Sequence, residues 1–453
     1  MSIVVVGAGL VGCLSALGFA EKGYKVRVFE AREDIRVVKS PDALRSINLA
    51  LSARGIKALE YVDKEMADRL MDETIPMYGR MVHDTQGNQS SQNYGLYGES
   101  INSIDRGKLN EQILSEAENH PNVEVVFGHK LVEADLPQPS VTFRPSNGGD
   151  DLKLGPKEVI SVIGADGAYS KVRQFIQRHV RMDYKQEYID HLYLELKIPP
   201  GPNGRFLLDP NHLHIWPRHS YMLIALANKD GSFTSTLFAP DSVFESLLSG
   251  EKMVQFFEQN FSDALELIGR DALLECYYNN PRASLISITC NPYNLEGKGI
   301  ILGDAAHCMV PFYGQGLNCG FEDVHVLMEM LEKHEFNLEL AYNDYTASRH
   351  VDLVAIIDLA MQNYEEMRHK VTSTTYLIRK HVDEWLSRTF KDGWLSLYTM
   401  VSFRPDIPYS KAVRKEAWQQ SIIQTIVTNT LNLTLGSGLI WVSLYAMKKF
   451  NRK

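Results

Sequence analysis

The sequence predicts an α/β fold with three parts: a parallel βαβ unit that binds a dinucleotide, an antiparallel β-sheet, and a helical C-terminal region. Three observations carry this. An apolar strand over residues 3–6 runs into Gly7-Ala8-Gly9-Leu10-Val11-Gly12, which opens a helix with Ala16 and Ala20 on one face. Short apolar runs at 191–198, 213–216, 220–226 and 232–239 are separated by turn signals such as Pro-Arg-His and Asn-Lys-Asp-Gly, as in antiparallel sheet. The tract 324–397 interleaves charged and apolar residues, as amphipathic helices do.

The 453 residues suffice for two or three domains and a large core. A formal net charge of −9 argues against nucleic acid as a partner. The five cysteines, Cys13, Cys276, Cys290, Cys308 and Cys319, are odd in number and show no C-x-x-C spacing, so reduced, mostly buried thiols are expected. Fourteen histidines invite a metal reading, but no H-E-x-x-H or closely spaced His/Cys set occurs, and His307 has no second ligand near it in sequence; no metal is expected. Nor is there a G-x-S-x-G elbow or a Walker A lysine.

In chain order, Gly7 makes the tight turn of the fingerprint, Gly9 lets the backbone approach a pyrophosphate, and Gly12 allows close helix–strand packing. A second strand over 24–29 ends at Glu30, placed to accept from the hydroxyls of an adenosine ribose; an acid there disfavours a 2′-phosphate at this site. A helix follows, running through Leu59. Residues 75–83 and 94–104 read as strands flanking a polar turn at 85–92, and Arg80 among them reads from pattern alone as a solvated strand charge. A helix is expected from Asp105 to Asn119, a strand over 123–127, and a polar surface hairpin over 137–156. The strand 159–163 ends in Gly164-Ala165-Asp166-Gly167, again an acid at a strand end before a helix, although Asp and Ser also cap helices structurally. An amphipathic helix is expected over 254–267, and strands return at 284–290 and 300–302. The last of these delivers Gly303-Asp304, then Pro311 and Gly314-Gln315-Gly316-Leu317-Asn318 at the start of a helix. A carboxylate and a Gly-rich helix N-terminus suit a ligand bearing hydroxyls and phosphates.

These three marks, the fingerprint with its acid, Asp166-Gly167 and Gly303-Asp304, together resemble the FAD-dependent aromatic hydroxylases, which are flavoprotein monooxygenases. The segments Phe29-Glu30-Ala31-Arg32, Arg45 to Ser52, Arg80-Met81-Val82-His83, Asn363-Tyr364-Glu365-Glu366-Met367-Arg368 and Leu397-Tyr398-Thr399-Met400-Val401 resemble the kynurenine 3-monooxygenase branch of that family. The resemblance implies a discontinuous Rossmann-like FAD-binding domain (1–74, 104–180 and 285–350). It implies an antiparallel β-sheet substrate domain (75–103 and 181–284) and a C-terminal helical region (351–416). It implies tightly bound FAD, contacted around Gly7, Gly9, Val11, Gly12, Phe29, Glu30, Ala31, Arg32, Ala50, Arg106, Leu131, Asp166, Asp304, Gly316, Leu317 and Asn318. It further implies that Arg80 grips the substrate carboxylate and that Tyr94, Phe312, Asn363 and Tyr398 complete the pocket.

The branch hydroxylates L-kynurenine to 3-hydroxy-L-kynurenine with NADPH and O₂, through a flavin C4a-hydroperoxide, in tryptophan degradation and NAD synthesis. The electron-rich aniline ring needs little proton transfer from protein, so no catalytic acid or base is expected; Arg80 and Tyr94 position the substrate. No second G-x-G-x-x-G exists for NADPH, in keeping with a transient co-substrate. An FAD hydroxylase or epoxidase acting on another aromatic or a polyprenyl substrate is the alternative, and a flavin-binding interaction protein on a membrane is a more distant one. Residues 417–447 carry no charge and are followed by Lys448, Lys449, Arg452 and Lys453, although Gln424, Asn429, Asn432 and several threonines interrupt the apolar run. This stretch is expected to be a membrane anchor, which the resemblance places in the mitochondrial outer membrane with the catalytic part facing the cytosol.

Overall fold

The computed structural model describes residues 1–37, 48–369 and 374–450; Arg45, Ser46 and Ile47 of the resembling segment lie outside them. Its first sheet has six strands in the order Asn294–Leu295, Gly299–Ile301, Val159–Gly164, Ser2–Val6, Val26–Phe29, Val123–Val126. All neighbours are parallel except the edge pair Asn294–Leu295 and Gly299–Ile301. Ser2–Val6 is wholly buried, which is why it reads as a continuous apolar run rather than an alternation. The helices Leu10–Glu21 and Gly316–Lys333 pack on each other beside it, with Gly18 admitting the Met328 side chain.

A seven-stranded sheet follows the order Ala283–Asn291, Asp183–Ile198, Phe233–Ala239, Tyr221–Ala227, His212–Arg218, Gly79–His83, Gln89–Asn93. It is antiparallel but for one parallel pair, Gly79–His83 with His212–Arg218. Its two faces bury different cores by simple alternation. Trp216, Leu223 and Leu237 face a cluster with Met253, Phe257 and Phe261, whereas Ile215, Met222 and Phe238 join the core around the first sheet. The sheet therefore roofs the nucleotide-binding part.

Several expected boundaries move. The strand expected over 75–83 divides into Ile75–Met77 and Gly79–His83, which belong to different sheets. At the switch, Tyr78 N–H donates to the Asn211 carbonyl at 2.9 Å, and the Tyr78 carbonyl accepts from Tyr94 N–H at 2.9 Å. Gly79 must lack a side chain, since a Cβ would lie 2.6 Å from the Gln92 carbonyl oxygen. The second half of the expected turn at 85–92 is part of strand Gln89–Asn93, and only Ile101–Ile104 of the expected 94–104 strand pairs. The helix expected over 254–267 is broken at Phe261, a fully buried residue with φ −145°, into Gly250–Asn260 and Ser262–Ile268. The tract 324–397 is interrupted at Glu335 and Phe336, whose φ values are +49° and +63°. No glycine marks that turn, so periodicity runs through it. The helices are Gly316–Lys333, Leu338–His369, Thr374–Phe390, Leu397–Ser402 and Tyr409–Phe450. The 137–156 hairpin forms as expected from Ser140–Pro145 and Leu152–Leu154, but it is not only surface: Phe143 is buried and stacks on Phe29 at 3.9 Å.

Candidate active site

The fingerprint loop is shaped by backbone. Gly7 adopts φ +101°, where a side chain would be strained, and its N–H donates to the Phe29 carbonyl at 2.8 Å. A Cβ on Gly12 would lie 1.9 Å from the Gly7 carbonyl oxygen, whereas one on Gly9 would meet nothing within 4 Å. Gly9 thus faces open space at the N-terminus of Leu10–Glu21, which has no side-chain cap. That leaves helix N–H groups and dipole for an anion such as a pyrophosphate. We expect Gly12→Ala to abolish flavin retention while the rest of the chain folds, measured as flavin absorbance per protein after desalting.

Glu30 is buried at the end of Val26–Phe29. Its carboxylate accepts from Ala8 N–H at 2.9 Å and from Arg32 N–H and Nε at 3.0 and 2.8 Å. Burial pushes this carboxyl up, but the Arg32 hydrogen bond and charge outweigh it and hold it below the ordinary range. A carboxylate has four acceptor sites, so ribose hydroxyls remain compatible with these partners. Asp166 caps Lys171–Ile176 by accepting from Lys171 and Val172 N–H, while its Oδ1 is buried with no hydrogen-bond partner. Such an orphan acceptor fits a hydroxyl-bearing ligand. Asp304 begins a helical turn after Gly303 (φ +56°) with its carboxylate exposed. Gly316 and Leu317 open an uncapped helix beside it. These features fit FAD: an uncapped glycine approach for pyrophosphate, carboxylates for hydroxyls, and a second uncapped helix start for the ring edge.

The remaining expected cofactor residues divide by what is exposed. Ala31, Arg32 and Arg106 are exposed, Val11 and Ala50 half-buried. Phe29 and Leu131 are core residues whose side chains are buried, and the Phe29 carbonyl accepts from Gly7 N–H. The Asn318 side chain is fully used within the protein. Its Oδ1 accepts from Ser52 N–H at 2.8 Å, and its Nδ2 donates to the Ala50 and Gly314 carbonyls, both at 2.8 Å.

Arg80, Tyr94, Asn363 and Tyr398, scattered over more than three hundred residues of sequence, meet in one cavity of about 970 Å³. The expectation of a solvated Arg80 fails: it is 6% exposed. Its guanidinium lies 5.7 Å from the Tyr94 ring centroid and 5.2 Å from that of Tyr398. The two tyrosine rings stack at 4.8 Å, and Tyr313 continues the stack at 5.8 Å from Tyr398. The Tyr94 hydroxyl is buried beside Arg80 and Tyr398, and burial pushes its pKa well up, so it stays a neutral donor. Asn363 Nδ2 donates to the Phe312 carbonyl at 2.7 Å. Phe312 differs from expectation: its ring is stacked on Tyr364 at 4.0 Å and edge-on to Phe238 at 5.1 Å, and Tyr313 rather than Phe312 lines the cavity. Glu366, absent from the expected set, lies 3.4 Å from Arg80 Nη1. Its place one helical turn beyond Asn363 was readable, but nothing in the sequence showed that this face was covered.

Farther along the same cavity, Glu416 pairs with Arg379 at 3.2 Å near Asp383 and Glu366. Burial, more than the neighbouring carboxylates, raises its pKa to about 7. The folded protein therefore binds this proton where the unfolded chain does not. Its contribution favours folding least once the pH has risen from the ordinary carboxylate range through about 7. We expect Glu416→Gln to remove a fall of a few kcal/mol in stability over that range, read from urea unfolding at pH values spanning it.

One grouping was invisible in the sequence. His307, Cys319 and Asp323 are buried with ligand atoms within 4.8 Å of one another. Asp323 is fully engaged: it accepts from His307 Nε2, from Gly303 N–H at 3.1 Å and from Arg349 Nε at 3.0 Å. Arg349 also donates to the Cys319 carbonyl at 3.2 Å and pairs with Glu322 at 2.8 Å. A guanidinium fixed in the cluster opposes a cation there, so the group reads as an ion network. Burial raises the carboxyls of Glu322 and Asp323, but Arg349, Arg54 and His307 outweigh it and hold both below the usual range. All five cysteines are free, and burial pushes Cys13, Cys290, Cys308 and Cys319 up, so none is a ready thiolate.

Residues 1–336 match the family model described as FAD binding domain. Kynurenine 3-monooxygenase of Yarrowia lipolytica is 54% identical, covering 97% of this chain and 95% of its own length. The enzymes of that name from Candida albicans and Saccharomyces cerevisiae are 53% and 46% identical, covering 98% and 99% of this chain and 97% and 98% of their own. Among solved structures, 2-methyl-3-hydroxypyridine-5-carboxylic acid oxygenase superposes with a TM-score of 0.66 at 18% identity, covering 83% of this chain and 95% of that one. Pseudomonas aeruginosa PqsL gives 0.64 at 18%, covering 82% and 97%. These two show likeness of fold. With the cradle and the cavity described above, the sequence relatives lead to one conclusion: the chain belongs to the kynurenine 3-monooxygenase family of FAD-dependent flavin monooxygenases.

Proposed function

We propose that the protein hydroxylates L-kynurenine to 3-hydroxy-L-kynurenine with NADPH and O₂. The observation that carries this is the buried Arg80 guanidinium, set beside two mutually stacked tyrosine rings and the buried Tyr94 hydroxyl. Together they offer charge-assisted and neutral donors to a carboxylate. Glu366, within the same cavity, is a counter-charge for an α-ammonium on the adjacent carbon. The tyrosine rings suit the aromatic part of the substrate. FAD, when bound, supplies the electron transfer from NADPH and the activation of O₂. The chain's own part is to bind, orient and exclude water; Arg80 and Tyr94 fix one end of the substrate, so its ring presents one edge to the flavin side. The uncapped N-terminus of Gly316–Lys333 favours negative charge at the flavin edge.

Stopped-flow reduction by NADPH, with and without L-kynurenine, followed by product identification, tests the reading. Reduction strongly accelerated by L-kynurenine, with a 3-hydroxylated product, is expected. Acceleration by a different aromatic or polyprenyl compound alone would replace the substrate assignment.

A membrane location is a separate proposal. We infer that the tail attaches the protein to the outer mitochondrial membrane, with the catalytic part toward the cytosol. The support is a 42-residue helix, Tyr409–Phe450, whose sequence is uncharged over 417–447 and then basic. Among the described residues, no helix is long and apolar enough to cross a membrane. Carbonate extraction of the full chain and of a form ending at Glu416 decides between outcomes. Release of the full chain into the soluble fraction would count against attachment.

A further inference from the structure

The cavity wall that carries Tyr398 belongs to the short helix Leu397–Ser402, six residues long and remote in sequence from the flavin cradle. So short a helix cannot hold its own orientation, because its terminal carbonyls have no partners within it. Besides packing against Tyr409–Phe450, it is held by one side chain from the other end of the protein. Arg54, on Ala53–Val62, is 1% exposed. Its Nε donates to the Val401 carbonyl at 2.6 Å. Its Nη2 donates to the carbonyls of Met400 at 3.1 Å, Arg404 at 3.3 Å, and Ile407. Its Nη1 donates to Glu322 Oε1 at 2.6 Å, and the Tyr409 ring covers it at 4.0 Å. One guanidinium thus gathers the end of the Tyr398 helix and the loop that follows.

The other side of Arg54 leads to the flavin edge. Ser52 N–H, at the start of the same helix, donates to Asn318 Oδ1 in the first turn of Gly316–Lys333 at 2.8 Å. Glu322 pairs with Arg349, and Arg349 with Asp323, which receives Gly303 N–H and His307. Tyr409 donates its hydroxyl to Gln315 at 3.1 Å, closing a second route to the start of Gly316–Lys333. The chain of contacts is continuous from the Gly303 turn to Tyr398.

We propose that Arg54 is a positioning residue for the hydroxylation, holding the Tyr398 helix in fixed relation to the loops at the flavin edge so that occupation of the substrate cavity is felt there. The proposal rests on the reading of Tyr398 as a substrate contact. Arg54 is buried and is not among the residues that line the cavity. Only an arginine suits the task, because a lysine retains the charge opposite Glu322 but has no planar fork to reach several carbonyls at once.

Arg54→Lys and Arg54→Met in the FAD-loaded full chain test this, with Tyr398→Phe and Tyr398→Ala as partners in a double-mutant cycle. The readouts are FAD per protein, L-kynurenine affinity from the change in flavin absorbance, and the ratio of reduction rates by NADPH with and without L-kynurenine. Arg54→Lys is expected to keep FAD, weaken L-kynurenine binding by roughly tenfold, and lower the rate ratio by a similar factor. In the Tyr398→Ala background the same change is expected to cost little more. Should Arg54→Met or Tyr398→Ala not fold, Arg54→Lys and Tyr398→Phe carry the same comparison. Binding and rate ratio unchanged in Arg54→Lys would overturn the proposal, as would effects that add fully to those of Tyr398. If the unaltered protein does not bind L-kynurenine, the substrate reading itself fails and the proposal with it, a result distinct from a normal parent with an indifferent Arg54 variant.

Discussion

Arg80→Ala is expected to lower kcat/KM for L-kynurenine roughly a hundredfold, about 3 kcal/mol, chiefly by raising KM, and to remove the acceleration of NADPH oxidation by L-kynurenine. The magnitude follows from the site. Arg80 is 6% exposed, so a carboxylate bound there exchanges water for a guanidinium in a confined, aromatic-walled space. Glu366 stands 3.4 Å from Arg80, at the long end of hydrogen bonding, so a carboxylate that approached more closely would make the stronger contact. Removing it would also leave the Tyr94 hydroxyl as the main donor, and a neutral hydroxyl is a weaker substitute. Arg80→Lys is expected to recover only part of the loss, because an ammonium cannot make two parallel bonds to a carboxylate. Steady-state assays at varied L-kynurenine, together with FAD content, separate this from a folding defect. An unchanged KM would remove Arg80 from the substrate site.

The largest effect on stability is expected from Arg349→Met. Arg349 is 4% exposed and bridges Glu322 and Asp323 at 2.8 and 3.0 Å. Loss of its charge leaves the fully buried Asp323 with only His307 and Gly303 N–H as partners and Glu322 dependent on Arg54. Breaking a buried pair by removing one member typically costs about 3–5 kcal/mol, since the desolvated charge that remains has to be protonated or rehydrated. Urea unfolding should show that loss. FAD retention should fall as well, because Asp323 also fixes Gly303 N–H at the flavin loop. The pH dependence has a definite sign. Glu322 and Asp323 have lowered values in the fold, so the network's contribution is present above the ordinary carboxylate range and is lost as the pH falls through those lowered values. A change below about 1 kcal/mol in Arg349→Met would show that the ion network contributes little to stability.

Legibility differed between the two halves of the site for a physical reason. The cofactor cradle depends on backbone shape and on residues close in sequence. Gly7, Gly9 and Gly12 lie within six positions, Glu30 ends the next strand, and Asp166 and Asp304 each follow an apolar strand. Strand-to-helix turns repeat a local pattern, so sequence exposes them. The substrate half depends on which surface covers which. Arg80 is preceded and followed by apolar residues in a strand, and periodicity assigns it a face but does not say that Glu366, Tyr94 and Tyr398 close over that face. Asn363 and Glu366 similarly read as ordinary positions on an amphipathic helix; resemblance to a family, not pattern, singled out Asn363, and it gave Glu366, in the same segment, no role.

What the sequence by itself determined was the α/β class, the glycine and carboxylate positions of the cradle, the reduced cysteines and the family. Those follow from local backbone demands and short-range periodicity. The tertiary structure alone decided that Arg80 is buried, that Phe312 stands behind the cavity wall while Tyr313 lines it, and that the strand around Tyr78 changes sheets. It alone joined His307, Asp323, Arg349, Glu322 and Arg54 into one buried network. Charges far apart in the chain leave no periodic trace, and their energy is set by burial, which exists only once the layers are packed.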